Sequence, residues 1–274
     1  MGVPLRARST GPGGRMSSYQ EWLPAPEVAI AACGTWEGTP GWPRTLRVVP
    51  DGCVDITWDG ARVMAVAAGS APLWLPLSAA GTTVGIRLRS GVAGALLGID
   101  VDTWAHRRVV DLPDVLRGTL PGEFRLRDEL LTAREPAAQR LVLEQLVAGR
   151  LRRGFGPEPA VLRAVAALAE PDARVDDVAE RVGTSDRTLR RQMRAATGFG
   201  PKELHRVFRF QRFLHVLPDV AAGRTTLAAA ACTSGYTDQS HLGRECRRLS
   251  GSSPARLTAT WKRHSDVAEI DQIR

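Results

Sequence analysis

Val175-Asp-Asp-Val-Ala-Glu-Arg-Val-Gly183, continuing Thr-Ser-Asp-Arg-Thr-Leu189-Arg-Arg191-Gln-Met193, is written a second time in outline further along the chain. The second copy is Leu227-Ala-Ala-Ala-Ala-Cys-Thr-Ser-Gly235, continuing Tyr-Thr-Asp-Gln-Ser-His-Leu242-Gly-Arg244-Glu-Cys246. Each copy sets an alanine four residues before a glycine, Ala179 before Gly183 and Ala231 before Gly235. A small side chain there lets one helix cross closely over the next, and glycine supplies the positive φ that ends a helix. Ser185 and Thr237 are read as N-caps of the helices that follow, each with an aspartate placed to favour the helix dipole. The pattern is helix, tight turn, capped helix, twice over.

The helix after Ser185 sorts its side chains by face. Leu189, Met193 and Ala196 form an inward stripe, while Arg187, Arg190, Arg191 and Arg194 lie on the other side. In the second copy Leu242, Cys246 and Leu249 point inward, leaving Gln239, Ser240, Arg244 and Arg247 outside. Guanidinium groups along one exposed face suit phosphates or the edge of guanine. One such helix would be an ordinary solvated surface; its capped duplication is the specific signal.

Charge points the same way. The net charge is +8, but residues 1–150 hold 16 basic and 15 acidic residues, against 21 and 14 in residues 151–274. A basic segment on a folded domain implies a polyanionic partner. Pro201–Leu217 carries Leu204, Val207, Phe208, Phe210, Phe213 and Leu214 on a broad stripe and predicts a long helix linking the two units, with Pro218 ending it.

The first half reads as strands followed by helices. Strands are predicted at Arg44–Val49, Cys53–Trp58, Val63–Ala67, Leu73–Leu77 and Thr83–Leu88. Pro50-Asp51-Gly52 separates the first two as a turn, and in the second Val54, Ile56 and Trp58 alternate with Cys53, Asp55 and Thr57. Helices are predicted at Val92–Leu97, Val101–His106, Phe124–Leu131 and Ala137–Ala148, with Gly149–Pro159 as the linker. The fold class is therefore α+β: a β-rich domain over residues 17–150, then an all-α domain over 158–262. Residues 1–16, rich in Gly, Arg and Ser, are read as a flexible leader.

Residues 158–257 resemble the DNA-binding half of the AraC/XylS family of bacterial transcription regulators. The resemblance rests on Gly235-Tyr-Thr-Asp-Gln-Ser-His-Leu-Gly-Arg-Glu-Cys-Arg-Arg-Leu-Ser-Gly-Ser-Ser-Pro254 and on Thr197-Gly-Phe-Gly-Pro201. It implies that Ser185, Arg187, Thr188, Arg190, Arg191 and Arg194 contact DNA from the first unit, and Thr237, Gln239, Ser240, His241, Arg244 and Arg247 from the second. Cys246 stands where that family usually carries a bulky aromatic, which implies a thinner core in the second unit. Residues 19–116 resemble a sensory domain found ahead of such halves, on Pro50-Asp-Gly-Cys-Val-Asp55 and Gly85-Ile-Arg-Leu-Arg89, implying a cupin-like fold.

The partners implied are double-stranded operator DNA, a small-molecule effector of unknown identity, and RNA polymerase or a second copy of the chain. Six of the seven tryptophans lie in the first 110 residues, and clustered aromatics with a few polar groups can line an effector pocket. Trp36, Trp58, Trp74, Asp55 and Arg87 are the candidates. No cofactor is expected, and no metal, because the first half offers only His106 among imidazoles and no CxxC pair occurs. Cys33 and Cys53 are read as packed thiols of a cytoplasmic protein rather than as an alkyl-accepting or redox centre. The alternatives left open are a regulator whose first half only dimerises or meets a protein, and an alkyl-transferring repair enzyme fused to a DNA-binding half. No arrangement for an enzyme sits on a recognised elbow or loop. No apolar run reaches the ~18–20 residues of a membrane span.

Overall fold

The computed structural model describes residues 6–10, 16–67, 69–79, 81–104, 108–112 and 123–263. The first half is an antiparallel sheet with helices on one face. Its strands are β1 (Arg6–Thr10), β2 (Met16–Trp22), β3 (Ala32–Thr39), β4 (Arg44–Val48), β5 (Val54–Trp58), β6 (Val63–Val66), β7 (Leu73–Leu77), β8 (Thr83–Leu88) and β9 (Val109–Asp111). Seven of them run in the order β1-β2-β3-β8-β5-β6-β9, and β4 pairs with β7 in a separate ribbon. The helices of this half are α1 (Ala93–Leu97), α2 (Val101–Trp104), α3 (Glu123–Thr132) and α4 (Pro136–Arg152).

Strand periodicity sets the two faces of the sheet. Thr35, Val54, Ile56, Trp58, Ile86 and Leu88 turn inward and are buried, and α4 packs across β8 and β3 on that side with Leu143 and Val147 in the core. Arg140 of α4 lies over the ring of Trp22 at 3.4 Å and pairs with Glu37 at 3.5 Å. The opposite face carries Glu21 across from Trp36, Trp36 across from Gly85, and Arg87 across from both Gly34 and Asp55.

The second half, within its described residues, is helical: α5 (Pro159–Ala169), α6 (Val178–Arg181), α7 (Asp186–Thr197), α8 (Pro201–Ala221), α9 (Leu227–Thr233), α10 (Gln239–Ser250) and α11 (Pro254–Arg263). Its core forms around α8, where Leu204, Val207, Phe210, Phe213, Leu214, Leu217 and Val220 are all buried.

Three expectations need correction. Residues 6–10 are not a leader: Arg6 to Thr10 pair with Gln20 to Met16 as the outer arm of a hairpin. The glycines at 11, 13 and 14, read as flexibility, stand between the two arms. Helix α4 runs on to Arg152, so the connection to α5 is short. Pro218 does not end α8, which continues to Ala221. Proline inside a helix forfeits one hydrogen bond and crowds the preceding turn. Here it falls near the end, and burial of Leu217 and Val220 on the same stripe outweighs that penalty. Of the predicted helix at 101–106, residues 105 and His106 lie outside the described residues.

The two halves pack directly on each other. Val49 belongs to the hydrophobic core of the second half. Gln211 of α8 donates to the Pro50 carbonyl at 2.7 Å. Arg47 of β4 donates to the Ser250 carbonyl (3.2 Å) and to Ser252 Oγ (2.8 Å), at the C-terminal end of α10. Helix α1 lies against α7 so closely that a Cβ on Gly94 would sit 2.7 Å from the Ala195 carbonyl oxygen.

Candidate nucleic-acid interface and polar sheet face

The first helix-turn-helix unit is α6, a turn, and α7. Gly183 closes the turn with φ +74°, and Thr184 N–H returns to the Ala179 carbonyl at 2.9 Å, the wrapped end that positive φ permits. Ser185 caps α7 as expected, accepting from Thr188 N at 3.2 Å. Leu189 and Met193 are buried beneath it, and Arg187, Arg190 and Arg191 are exposed on the outer side. None of these three arginines is ion-paired among the described residues. Two candidates behave differently. Thr188 is half-buried and its Oγ1 bonds Ser185 Oγ at 3.0 Å, so it completes the cap. Arg194 is turned toward carboxylates, reaching Asp102 at 3.5 Å and Glu203 at 3.2 Å. These exposed pairs contribute little stability, but they draw Arg194 away from the other three.

The second unit repeats this plan in α9 and α10. Thr226 caps α9 through Ala229 N at 3.1 Å, Gly235 closes the turn with φ +86°, and Tyr236 N–H returns to the Ala231 carbonyl. The cap of α10 is Asp238, which accepts from His241 N at 2.6 Å. Thr237, taken as the cap, instead bonds His241 Nδ1 at 2.9 Å. A carboxylate is the stronger acceptor at a helix N-terminus, and that wins the position. His241 also meets Tyr236 edge-on at 5.2 Å. Gln239, Ser240 and Arg244 are exposed, and Arg247 folds back on the Gly243 carbonyl at 3.3 Å. Arg248, four residues beyond Arg244 and so on the same side of the helix, is also exposed and was not among the candidates. Burial pushes the Cys246 thiol up to about 12, with Glu245 adding to it; the side chain is simply core.

In the first half the structure brings together three of the five effector candidates. Arg87 Nε lies 3.2 Å from Asp55 Oδ1, and Trp36 Nε1 donates to the same oxygen at 2.8 Å. Glu21 reaches Arg87 at 3.2 Å and Asp51 stands 3.9 Å away. Tyr19 stacks on Trp36 with ring centres 5.8 Å apart, and its hydroxyl bonds Glu21. Burial works against the Arg87 charge, but Asp55, Tyr19, Asp51 and Glu21 outweigh it and hold the guanidinium pKa well above its ordinary value. The other two candidates are elsewhere. Trp58, 1% exposed, is in the core on the opposite face, as the alternation with Asp55 requires. Trp74, 55% exposed, lies in the β4–β7 ribbon across from Arg47, whose guanidinium is 5.8 Å from its ring centre.

Asp51 is the uncomfortable member of this group. Burial raises its pKa, with Arg87 pulling the other way and Asp55 adding to the rise. A carboxyl whose pKa is raised by folding favours the native state below its unfolded pKa, and that contribution is lost as pH climbs through the raised value. Asp51→Asn keeps an oxygen to accept from Cys53 N, a bond of 2.8 Å. The variant is expected to be more stable than the parent at neutral pH, with the gain shrinking to nothing near pH 4. Urea unfolding across that range checks it, and an unchanged or lowered midpoint at pH 7 would contradict the assignment.

Residues 178–260 match the family model described as a helix-turn-helix domain, and residues 20–110 match a domain of unknown function (DUF6597). Among curated proteins no sequence match to the chain is found. The fold is similar to that of ToxT from Vibrio cholerae O395, at 11% identity and a TM-score of 0.40, covering 94% of this chain and 96% of that one. A fatty-acid-bound structure of wild-type ToxT from strain SCE256 aligns at 10% identity and a TM-score of 0.37, covering 79% and 94%. The two capped helix-turn-helix units and the family match over them show a helix-turn-helix DNA-binding domain at residues 178–260, with a β-rich domain ahead of it.

Proposed function

We propose that the chain binds double-stranded operator DNA through α7 and α10 together. Arg187, Arg190 and Arg191 would serve one groove, and Gln239, Ser240, Arg244 and Arg248 the next. The carrying observation is the exposure of both polar helix faces on units built around one continuous helix, α8. Arg194, Thr188, Thr237 and His241 act in this reading as positioning groups. Selection of binding sites from random duplex with the full chain tests it. The expected product is an asymmetric site, because an all-arginine face and a Gln-Ser-Arg face differ in chemistry. Arg191→Ala and Arg244→Ala are each expected to weaken binding by about 1–3 kcal/mol if they read bases. If either meets phosphate instead, its loss weakens all sequences alike and lowers the salt slope. Unchanged affinity in both variants would refute the assignment of these helices.

The first half is proposed to control this binding in response to a small molecule met at the face of Trp36, Asp55 and Arg87. Support comes from two sides. That face gathers aromatic and charged groups in one place, as ligand sites do. The same half touches α7 through α1 and Asp102, and touches α10 through Arg47, so a shift in it has a physical route to both DNA-facing helices. No helix of the described residues is long and apolar enough to cross a membrane.

A further inference from the structure

We propose that Cys33 and Cys53 form a peroxide-sensitive dithiol in which Cys33 is oxidised first and Cys53 resolves it to a disulfide. The two residues are far apart in sequence, and topology joins them. β3 and β5 both pair with β8, so their ends flank it: Ala32 and Val54 both oppose Leu88, and Gly34 and Asp55 both oppose Arg87. Between Ala32 and Gly34 the register slips by one residue, and that residue is Cys33. A bulge of this kind re-aims a side chain. In an unbroken strand Cys33 would share the buried face with Thr35. The bulge places it instead with Arg87, where its Sγ donates to the Arg87 carbonyl at 3.5 Å. Cys53 has the parity of Asp55 and lies on that same face. The two thiols are thereby placed beside each other, and each acts on the other's acidity.

The surroundings make the pair unequal. The hydrogen bond from Cys53 lowers the Cys33 pKa against the effect of burial, and the Arg87 guanidinium lowers it further. Cys53 is raised well above the ordinary thiol range, first by donating to Cys33 and then by burial and Asp51. Of the two sulfurs, Cys33 is the one that gives up its proton more readily. Both are partly accessible. A partly accessible thiol of lowered pKa beside a resolving partner is the arrangement that oxidation by peroxide uses.

The chemistry closes without further reagents than a hydroperoxide. The Cys33 thiolate attacks the outer peroxide oxygen, an S–O bond forms and the O–O bond breaks. Sulfur loses two electrons, the peroxide gains them, and the departing oxygen takes a proton to leave as water when the oxidant is hydrogen peroxide. The Cys53 sulfur then attacks the sulfenic sulfur; the S–S bond forms, the S–O bond breaks, and the hydroxyl leaves as water with the Cys53 proton. Two thiols and one hydrogen peroxide give one disulfide and two waters.

The test uses the reduced full chain, treated with hydrogen peroxide near stoichiometry, then alkylated and mapped by mass spectrometry. The expected result is a peptide pair linked Cys33 to Cys53, with free thiols falling from four to two. Cys232, which is exposed, and Cys246, which is buried, serve as internal references. In Cys53→Ser the Cys33 sulfenic acid should accumulate and be trapped by a 1,3-dione, while Cys33→Ser should leave Cys53 reduced. Should either variant fail to fold, the map of the parent chain decides alone. Oxidation of Cys232 with Cys33 and Cys53 still free overturns the proposal, as does loss of Cys33 without the linked pair.

Discussion

Specific binding is expected to vanish when about five base pairs, half a turn of duplex, are inserted between the two contact centres of the operator. The expectation follows from α8. Its 21 residues span roughly 30 Å at about 1.5 Å per residue, close to the ~34 Å of one DNA turn. Leucine, valine and phenylalanine side chains of α8 form the core on which both units are built, so neither unit can swing without opening it. A half-turn insertion carries one groove to the far side of the duplex. Affinity should then fall to that of unrelated DNA, a loss of about a thousandfold or more at physiological salt. A full-turn insertion should not restore it, because the helix cannot lengthen to follow. Mobility-shift titrations with the three operators decide the matter. Retention of affinity after the half-turn insertion would mean that the two units move independently.

Arg87→Ala is expected to destabilise the chain by about 3–5 kcal/mol, the usual penalty for leaving buried charges without their partner. Arg87, with its side chain 14% exposed, is shared by Glu21, Asp51 and Asp55, and Trp36 is oriented by the same Asp55. Removing the guanidinium leaves three carboxylates facing one another in a confined space. Repulsion among carboxylates needs them ionised, so the penalty is absent below the ordinary carboxylate range near pH ~4 and grows as pH increases. Urea titrations of parent and variant at pH 4 and pH 7 test both the size and the sign. A deficit under about 1 kcal/mol at neutral pH would show that the ion-pair group is not a structural unit.

Legibility in the sequence followed the strength of the local signal. Strands β7 and β8 were found at their observed bounds because Leu73–Leu77 and Thr83–Leu88 are apolar runs bounded by turn residues. Strand β3 was missed, since Ala32-Cys-Gly-Thr-Trp-Glu-Gly-Thr39 holds two glycines and a bulge that breaks its alternation. Strands β1 and β2 were missed because the Gly, Arg and Ser content of residues 1–16 imitates a flexible leader. The recognition helices were legible through their caps and their periodicity. The true cap Asp238 was not separable from Thr237, because both residue types cap helices and they are adjacent. Trp58 was grouped with Asp55 by residue type, although their alternation in β5 already placed them on opposite faces. The diversion of Arg194 toward Asp102 depends on two elements 92 residues apart, and no local pattern announces it.

The turn at Pro50–Gly52 has a consequence for how this protein is made. Gln211, which bonds its Pro50 carbonyl, is 161 residues further along the chain, and Val49 beside it packs into a core assembled largely from α8. At a synthesis rate of about 5–20 residues per second, the first half waits roughly 10–30 s on the ribosome before its packing partner emerges. During that interval Val49 and the turn are bare, and the sheet stands without the surface that later covers one of its corners. A later part of the chain thus completes the packing of an earlier one. A nascent chain stalled before α8 should accordingly engage chaperones that one stalled after α11 does not.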